Sequence, residues 1–190
     1  MALTLTDIAA LFAKHGAAQY SGEPVTQLAH ALQTAQLAEE AGADDELITA
    51  ALLHDLGHLL NDQGESPSLR GIDDMHQYFA LPCRRGLFGE RLLDAIRWHV
   101  DAKRYLCATR PGYWSQLSED SKRSLALQGG SFSPEDAAAF IARKHADDAV
   151  ALRLWDDLAK AAVKTTPPLS HYLTIAESCL LHRADPGTPH

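Results

Sequence analysis

Three side chains able to bind a metal ion lie inside one apolar stretch, Leu52-Leu53-His54-Asp55-Leu56-Gly57-His58. This stretch is part of an apolar run from Ile48 to Leu60 that predicts a buried helix. Since a helix advances about 100° per residue, His54 and His58 share one face and Asp55 lies beside them. Burying such groups is costly unless they are hydrogen-bonded, paired or bound to metal. Taken alone, the stretch fits either a metal site or an ordinary buried polar pair.

Further donors of the same kind occur along the chain and favour the metal site. His30 precedes the stretch, and His76, His99 and the neighbours Asp156 and Asp157 follow it. Histidine and carboxylate without thiolate suit a hard or borderline ion such as iron or manganese.

The size and charge of the chain exclude some classes of protein. With 190 residues and 20.7 kDa, we predict a single domain over residues 1–190. The formal net charge of -8 and the pI near 5.6 argue against a nucleic-acid surface, because phosphate backbones are bound by clustered lysine and arginine.

The cysteines and the lack of long apolar segments indicate a cytoplasmic protein. Cys83, Cys107 and Cys179 are widely spaced and odd in number, so neither a disulfide framework nor a zinc ribbon is indicated. The N-terminus has no basic region followed by an apolar core, and no apolar run approaches the roughly 20 residues that span a bilayer. We therefore expect no membrane partner, and the sequence does not indicate an oligomeric state.

Helical periodicity recurs along the chain, and no alternating run is long enough for a strand. We therefore predict an all-α fold. The predicted helices are Met1 to His15 with Thr6 as N-cap and Gly16 as the stop, Val25 to Gly42, a helix capped by Asp44 or Asp45 that holds His54, a helix from about Gly89 with His99 in its last turns, Ser121 to Leu127, a helix beginning at Ser133-Pro134, Ala146 to Val163, and a last helix to about Leu181. The predicted loops are Asn61 to Asp73 and Pro111 to Ser118, the latter with exposed aromatics, and residues 183–190 form a frayed tail.

Five short segments between Tyr20 and Glu177 carry a resemblance to a known family. They are Tyr20-x-x-Glu23, His54-Asp55-Leu56-Gly57-His58, His99-Val100-Asp101-Ala102-Lys103-Arg104-Tyr105-Leu106, Leu125-x-x-Gln128-Gly129-Gly130 and Arg153-Leu154-Trp155-Asp156. Together with His30 and His76, they resemble the HD-domain superfamily of metal-dependent phosphohydrolases. Within it, the chain is similar to the mixed-valent di-iron oxygenases of phosphonate breakdown. The His-Asp dipeptide alone has low specificity for the family, whereas the segments beginning at His99 and Arg153 are far more specific.

The resemblance implies a compact helical bundle with two iron ions, Fe(II) and Fe(III), in its core. One iron is implied to bind four side chains: His30, His54, Asp55 and Asp156. The other is implied to bind His76, His99 and the second oxygen of Asp55. Asp55 is thus implied as the bridge between the ions. In many HD proteins a Glu and a Gly-Ala pair follow the histidine that corresponds to His76, whereas Gln77-Tyr78-Phe79-Ala80 follows here.

Asp157 is the alternative to Asp156 as a ligand. Neighbouring residues on a helix point about 100° apart, so only one of the two reaches the site. The match of Arg153-Leu154-Trp155 favours Asp156 and predicts Asp157 on the surface.

The resemblance also implies oxidative cleavage of a carbon to phosphorus bond. In this branch a 1-hydroxyphosphonate binds iron through its hydroxyl and a phosphonate oxygen, and dioxygen removes hydrogen from C1. Plain hydrolysis is difficult because carbon is a poor leaving group, so a cofactor competent in oxygen chemistry carries the step.

Donors one helical turn from the implied ligands are the candidates for substrate binding. Lys103 and His58 are placed to hold the phosphonate and, with Asp55, are the candidate catalytic residues. Arg153 is placed to form a bidentate hydrogen bond with the same oxygens or with a carboxylate beside the metal. Ser121 and Ser124 offer hydroxyl donors. A lone lysine or arginine on a helix is usually a solvated surface charge, and it is the convergence of these groups that favours the site.

The end of the substrate that carries nitrogen is left open by the sequence. Tyr20 and Glu23 resemble a loop pair that closes over the site, with Tyr20 at the open iron position before substrate binds; the alternative is a turn with an aromatic plug. A primary ammonium needs an acceptor such as Glu23, whereas a trimethylammonium prefers aromatic faces. Candidates for such a cage are Tyr20, Tyr78, Phe79, Tyr105, Tyr113 and Trp114. Both 2-amino-1-hydroxyethylphosphonate, giving glycine and phosphate, and its N-trimethyl analogue, giving glycine betaine and phosphate, fit.

Two other functions use the same residues. A phosphohydrolase acting on a phosphomonoester or nucleotide would hold redox-inert ions and activate water. A non-catalytic HD module would bind a ligand without turnover, but such a module need not retain all six metal ligands.

Overall fold

The computed structural model describes residues 3–20, 22–60 and 86–181. Its helices are α1 (Leu5–His15), α2 (Gln27–Glu40), α3 (Asp45–Leu53), α4 (Leu56–Leu60), α5 (Glu90–Thr109), α6 (Tyr113–Gln116), α7 (Glu119–Leu127), α8 (Pro134–Ile141), α9 (Ala146–Leu158) and α10 (Leu169–Ser178). Within these ranges the only extended pairings are the isolated bridges Gln19 with Thr26 and Phe88 with Leu180, so the predicted all-α fold is confirmed. The predicted ligand His76, the cage candidates Tyr78 and Phe79, the loop from Asn61 to Asp73, Cys83 and the tail 183–190 lie outside the described residues.

Polar side chains at the helix starts fix where the helices begin. Thr4 caps α1, since its side chain accepts from the Asp7 amide and the Asp7 carboxylate accepts from the Thr4 amide. The prediction of Thr6 as the cap was therefore wrong. Asp44 caps α3 and Ser133 caps α8 with Pro134 in the first turn, as the sequence predicted.

Helix α3 lies at the centre of the largest apolar core. It packs against α2, α5, α9 and α10, and every residue from Leu47 to Leu53 is buried. The small side chains of Ala50 and Ala51 let neighbouring helices approach closely, whereas Leu52 and Leu53 fill the volume of the core. The chain segment that carries His54 is thereby held rigidly inside the molecule.

The predicted continuous helix from Ile48 to Leu60 is interrupted at His54 and Asp55. Helix α3 ends at Leu53 and α4 begins at Leu56. The His54 ring bonds the carbonyl of Ala51 at 2.8 Å, and Gly57, a weak helix former, is the second residue of α4. The side chains of His54 and Asp55, although adjacent in the sequence, both point into the core, with 3.3 Å between His54 Nε2 and Asp55 Oδ2.

Helix α9 is shorter than predicted, ending at Leu158 rather than Val163. The residues after it leave the helix because they bond to α2. The Ala159 carbonyl accepts from the His30 ring at 2.9 Å, and the Gln33 side chain bonds both the amide and the carbonyl of Ala161, at 3.0 and 2.9 Å. Residues 159–161, which we call the strap, are therefore held against α2 by hydrogen bonds.

The other differences from prediction concern helix lengths. Helix α5 runs on to Thr109, so His99 lies in its middle rather than in its last turns. The predicted loop from Pro111 to Ser118 contains α6, in which Tyr113 is buried and Trp114 is exposed. Helix α10 ends at Ser178, short of the predicted Leu181. Among the described helices none is long and apolar enough to cross a membrane.

The Gly129-Gly130 turn, which follows α7 in the sequence, is hydrogen-bonded to α5. Both glycines have positive φ, +95° and +72°, which residues with a side chain rarely adopt. The Arg104 guanidinium on α5 donates to the Gly130 carbonyl at 2.8 Å and to the Gly129 carbonyl at 3.3 Å, and it lies 4.3 Å from the centre of the Phe132 ring. This contact keeps α7 and its serines beside the part of α5 that carries His99 and Lys103.

Candidate metal centre

Three histidines from three helical segments meet in the core, and all three direct Nδ1 to a backbone carbonyl. His30, His54 and His99 are at most 1% exposed. Each uses Nδ1 on a backbone carbonyl: His30 on Ala159 at 2.9 Å, His54 on Ala51 at 2.8 Å and His99 on Ile96 at 2.6 Å. A carbonyl only accepts hydrogen bonds, so Nδ1 carries the proton and the neutral ring presents the Nε2 lone pair. This is the arrangement that holds histidine as a metal ligand.

The two carboxylate oxygens of Asp55 face different histidines. Oδ2 lies 3.6 Å from His30 Nε2 and 3.3 Å from His54 Nε2. Oδ1 lies on the other side, 3.7 Å from His99 Nε2. Asp55 therefore stands between two groups of donors, as a carboxylate that bridges two ions must.

Asp156 completes the group around His30 and His54. Its Oδ1 lies 3.3 Å from His30 Nε2 and 3.9 Å from His54 Nε2, and one ligand atom from each of these three residues lies within 4.8 Å of the others. Asp156 Oδ1 is buried and accepts no hydrogen bond from the described residues. An oxygen buried in this way is costly unless a cation satisfies it.

The charges in this cluster fit a bound cation. Burial alone would raise the pKa of Asp156, but the Arg153 guanidinium and the His30 and His54 rings hold it well below its ordinary value. Burial lowers the pKa of His54, yet Asp55 and Asp156 outweigh it, so the net direction is upward. Ionised carboxylates around imidazole nitrogens thus attract a proton or a metal, and the nitrogen and oxygen donors suit iron, manganese or zinc.

Asp157 is not on the surface as predicted. Its carboxylate accepts from the Arg153 guanidinium and from the Tyr113 hydroxyl. The buried Arg153 also forms an ion pair with Asp156, with 2.8 Å between Nη1 and Oδ2. Its Nε donates a hydrogen bond to the Tyr113 hydroxyl at 3.3 Å. Asp157 therefore holds Arg153, and Arg153 holds Asp156. The sequence prediction missed this because Tyr113 comes from a distant helix, although the spacing of Arg153 and Asp157 by four residues is typical of a helical ion pair.

Replacing Asp157 with asparagine should destabilise the protein while leaving its metal content unchanged. The variant weakens one buried charge-assisted hydrogen bond to Arg153, which contributes about 1–3 kcal/mol to the free energy of unfolding. Chemical denaturation and metal analysis of the same preparation measure both effects. Glu177→Gln, an exposed change on α10, is the control and should alter stability by less than about 0.5 kcal/mol. Metal loss from Asp157→Asn would contradict the choice of Asp156 over Asp157.

A buried lysine lies beside the centre. Lys103 is 3% exposed, and its ammonium donates to Ser124 Oγ at 2.8 Å. Ser124 Oγ in turn donates to the Ser121 carbonyl at 3.1 Å. Burial, followed by repulsion from Arg153, lowers the pKa of Lys103 to about 7, and the charge of Lys160 adds to this. Arg153 and Lys160 are paired with carboxylates, so Lys103 is the cation of this region that a bound anion would stabilise.

Tyr20 and His58 cover the histidines. The Tyr20 ring stacks on the His30 ring, with centroids 4.0 Å apart and planes 14° from parallel, and meets the His58 ring edge-on at 6.1 Å. Burial, the charges of Asp55 and Asp156, and a hydrogen bond to Asp55 raise the pKa of the Tyr20 hydroxyl well above its ordinary value. His58 Nε2 lies 3.8 Å from Asp55 Oδ2.

Glu23 forms an ion pair that the sequence analysis missed. The Lys160 ammonium donates to Glu23 Oε1 at 2.9 Å and to the hydroxyls of Ser118 and Ser121, both at 3.3 Å. Lys160 belongs to the strap that follows α9, and its spacing of four residues from Asp156 was the available clue. Of the predicted site residues that the structure describes, all lie in this one region.

Comparison with known proteins agrees with this arrangement. The family described as HD domain matches residues 28–179. The chain is 38% identical over 170 residues to [1-hydroxy-2-(trimethylamino)ethyl]phosphonate dioxygenase (glycine-betaine-forming) of Leisingera caerulea, covering 90% of this chain and 87% of that protein. It is 42% identical over 179 residues to hydroxymethylphosphonate dioxygenase of Gimesia maris, covering 94% and 89%. It is also 34% identical over 165 residues to an uncharacterized protein of Acanthamoeba polyphaga mimivirus, covering 85% and 75%.

Proposed function

The chain belongs to the HD-domain family, and we propose that it is an iron-dependent dioxygenase that cleaves the carbon to phosphorus bond of a 1-hydroxyphosphonate. Two relatives named as phosphonate dioxygenases match it over at least nine tenths of its length, which supports oxidative cleavage. The same matches favour an oxygenase over an HD phosphohydrolase or a non-catalytic module.

The placement of Asp55 is the observation that carries the proposal. With one oxygen toward His30 and His54 and the other toward His99, it suits a bridge between two ions. We assign His30, His54, Asp55 and Asp156 to one iron, and Asp55 and His99 with His76 to the other. The assignment of His76 rests on the family resemblance.

The overall reaction requires only the substrate and dioxygen. One hydroxyphosphonate and one dioxygen contain the same atoms as one carboxylic acid and one phosphate. The carbon to phosphorus bond breaks, new bonds to oxygen form at C1 and at phosphorus, and C1 gives up four electrons to dioxygen. Iron, when bound, supplies the activation of dioxygen and the removal of hydrogen from C1, and a mixed-valent Fe(II)/Fe(III) pair is the state the family resemblance implies.

The protein binds and orients the phosphonate. Lys103, oriented by its bond to Ser124, offers an ammonium donor on one side, and His58 offers a ring nitrogen near Asp55 on the other. A phosphonate dianion beside the Lys103 ammonium stabilises its charge and so keeps Lys103 protonated. Arg153 itself acts through Asp156 and Asp157, to which it is already bonded.

Tyr20 excludes water from the centre before substrate arrives. Its ring covers His30 and its hydroxyl reaches Asp55, so substrate must displace it. A site closed in this way protects the metal from unproductive reaction with solvent and dioxygen.

Simultaneous measurement of dioxygen uptake and phosphate release tests the proposal. Protein is prepared without oxygen, loaded with iron, partly oxidised and given hydroxymethylphosphonate, 2-amino-1-hydroxyethylphosphonate, its N-trimethyl analogue or phosphomonoesters. We expect one dioxygen consumed for each phosphate with a hydroxyphosphonate, and a change in the electron paramagnetic resonance of the iron when that substrate binds. Phosphate release from esters without dioxygen would instead identify a hydrolase.

A further inference from the structure

Lys160 occupies the acceptor that a substrate ammonium would need. Its three N–H groups have three partners, Glu23 Oε1, Ser118 Oγ and Ser121 Oγ. Both charged side chains are largely buried, at 15% exposure for Lys160 and 11% for Glu23. The Glu23 carboxylate is thus neutralised by the protein's own cation.

The backbone on both sides of this ion pair is fixed. Ala159 and Ala161, the neighbours of Lys160, bond to His30 and Gln33 of α2. On the other side the Glu23 amide donates to the Tyr20 carbonyl at 2.8 Å, and the Glu23 carbonyl accepts from Gln19 at 3.2 Å. The pair is therefore built into the site rather than formed by two free surface chains.

The ion pair lies between the two parts of the proposed substrate site. Glu23 is in the turn whose Tyr20 ring covers His30. Ser121 is in the turn of α7 whose next serine, Ser124, accepts from Lys103. A group attached to C1 of a phosphonate held between Lys103 and the metal centre would extend toward this region, and it would meet Lys160 there.

An aromatic cage for a quaternary ammonium is not formed by the described candidates. Tyr105 packs on Phe140 with centroids 5.4 Å apart, and Trp114 is 54% exposed with the Lys122 ammonium 4.8 Å from its ring centre. The Tyr113 hydroxyl is bonded to Asp157. Among these side chains only Tyr20 contacts the histidines of the centre.

We infer that Lys160 is a specificity-determining residue, which selects a hydroxyphosphonate whose C1 carries hydrogen or a small uncharged group over one with an ammonium or trimethylammonium tail. An ammonium tail must compete with Lys160 for Glu23, and a trimethylammonium tail, which cannot donate a hydrogen bond, meets a carboxylate that Lys160 has already neutralised. This inference rests on the proposed function.

Substrate preference in wild type and Lys160 variants tests the inference. The measurement is kcat/KM for hydroxymethylphosphonate and for 2-amino-1-hydroxyethylphosphonate, from dioxygen uptake and phosphate release. We expect wild type to prefer hydroxymethylphosphonate. Lys160→Met frees Glu23 for the amine, so the ratio of amine to hydroxymethyl kcat/KM should rise about ten- to a hundred-fold, the effect of one charge-assisted hydrogen bond. A general structural defect would lower both values and leave the ratio unchanged.

Three further variants separate charge from packing. Lys160→Arg keeps the ion pair and should keep the wild-type ratio. Glu23→Gln combined with Lys160→Met removes the acceptor and should abolish the gain. Lys164→Met, an exposed lysine four residues away, is the matched control.

The outcomes distinguish the inference from the function on which it rests. A wild-type preference for the amine or the trimethylamine substrate overturns the inference, even if Lys160→Met fails to fold. An unchanged ratio in a folded Lys160→Met overturns it as well. Failure of every hydroxyphosphonate to support dioxygen uptake rejects the proposed function, and the inference with it.

Discussion

Replacing Asp55 with alanine is expected to remove both metal ions and with them all dioxygen uptake. Asp55 is the residue whose two oxygens reach toward different histidines, at 3.3 Å from His54 and 3.7 Å from His99. Without it, the group of His30, His54 and Asp156 loses the second of its two carboxylates, and the proposed second ion loses the carboxylate that faces His99, so we expect both ions to be bound much more weakly. Metal analysis after removal of loosely bound ions measures the loss.

Asp55→Asn distinguishes lost ligation from lost structure. It keeps the size of the side chain and one neutral oxygen, so the fold should be retained while metal content falls strongly. Circular dichroism verifies the helices of both variants. Wild-type occupancy of either ion in Asp55→Ala would mean that Asp55 does not bridge two metals.

Metal loading should also fall as the pH is lowered. The pKa of His54 is raised in the metal-free cluster by Asp55 and Asp156, against the effect of burial. A proton on Nε2 occupies the lone pair that the metal needs, so protons and metal compete for the same anionic cluster. The carboxylates that attract the metal are therefore also the reason that acid releases it.

The metal cluster could be predicted from the sequence because its pattern is local and its chemistry is narrow. His54 and Asp55 are adjacent, and His30 and His99 lie on strongly periodic helices that had to turn one face inward. Buried histidine beside buried carboxylate has few stable solutions without a cation. Residue type and helical face indicated inward donors, and the family resemblance supplied the ligand set that brings them together.

The details that failed depend on contacts between distant segments. The early end of α9 depends on the bonds that Ala159 and Ala161 make to α2, and the helix break at His54 and Asp55 lies inside an apolar pattern that continues through it. Helical periodicity carries no information about either feature. Helix ends were therefore less predictable than helix faces.

Asp157 and Lys160 show the same limit for charges. Both follow Asp156 in the sequence; Asp157 was predicted on the surface, and the sequence analysis gave Lys160 no role. Their partners, Tyr113 for Asp157 and Glu23 for Lys160, come from segments 44 and 137 residues away. Only the tertiary structure makes one of them a support for Arg153 and the other a contact to the Tyr20–Glu23 turn.

The burial of Lys103 lowers the stability of the fold, and in the proposed function the same side chain binds the substrate. Its pKa is lowered to about 7 from the ordinary 10.5, chiefly by burial. Between these two pH values the unfolded chain binds the proton and the folded chain releases it, so stability rises with pH across this window and is lowest below it. A bound anion stabilises a buried cation of this kind, and the proposed phosphonate substrate would supply that anion.

Replacing Lys103 with methionine should therefore weaken substrate binding and strengthen the fold. Losing one charge-assisted hydrogen bond to the phosphonate should lower apparent affinity about ten- to a hundred-fold, with metal content unchanged. Metal-free Lys103→Met should be more stable than wild type at pH 8 by about 1–3 kcal/mol, because it no longer has to release or bury the lysine proton. Its stability should also rise less than that of wild type between pH 7 and 10. Substrate titrations, urea unfolding at several pH values and the exposed control Lys164→Met measure these effects. Unchanged affinity for hydroxyphosphonates would remove Lys103 from the substrate site, and a loss of stability would show that its burial is compensated within the protein.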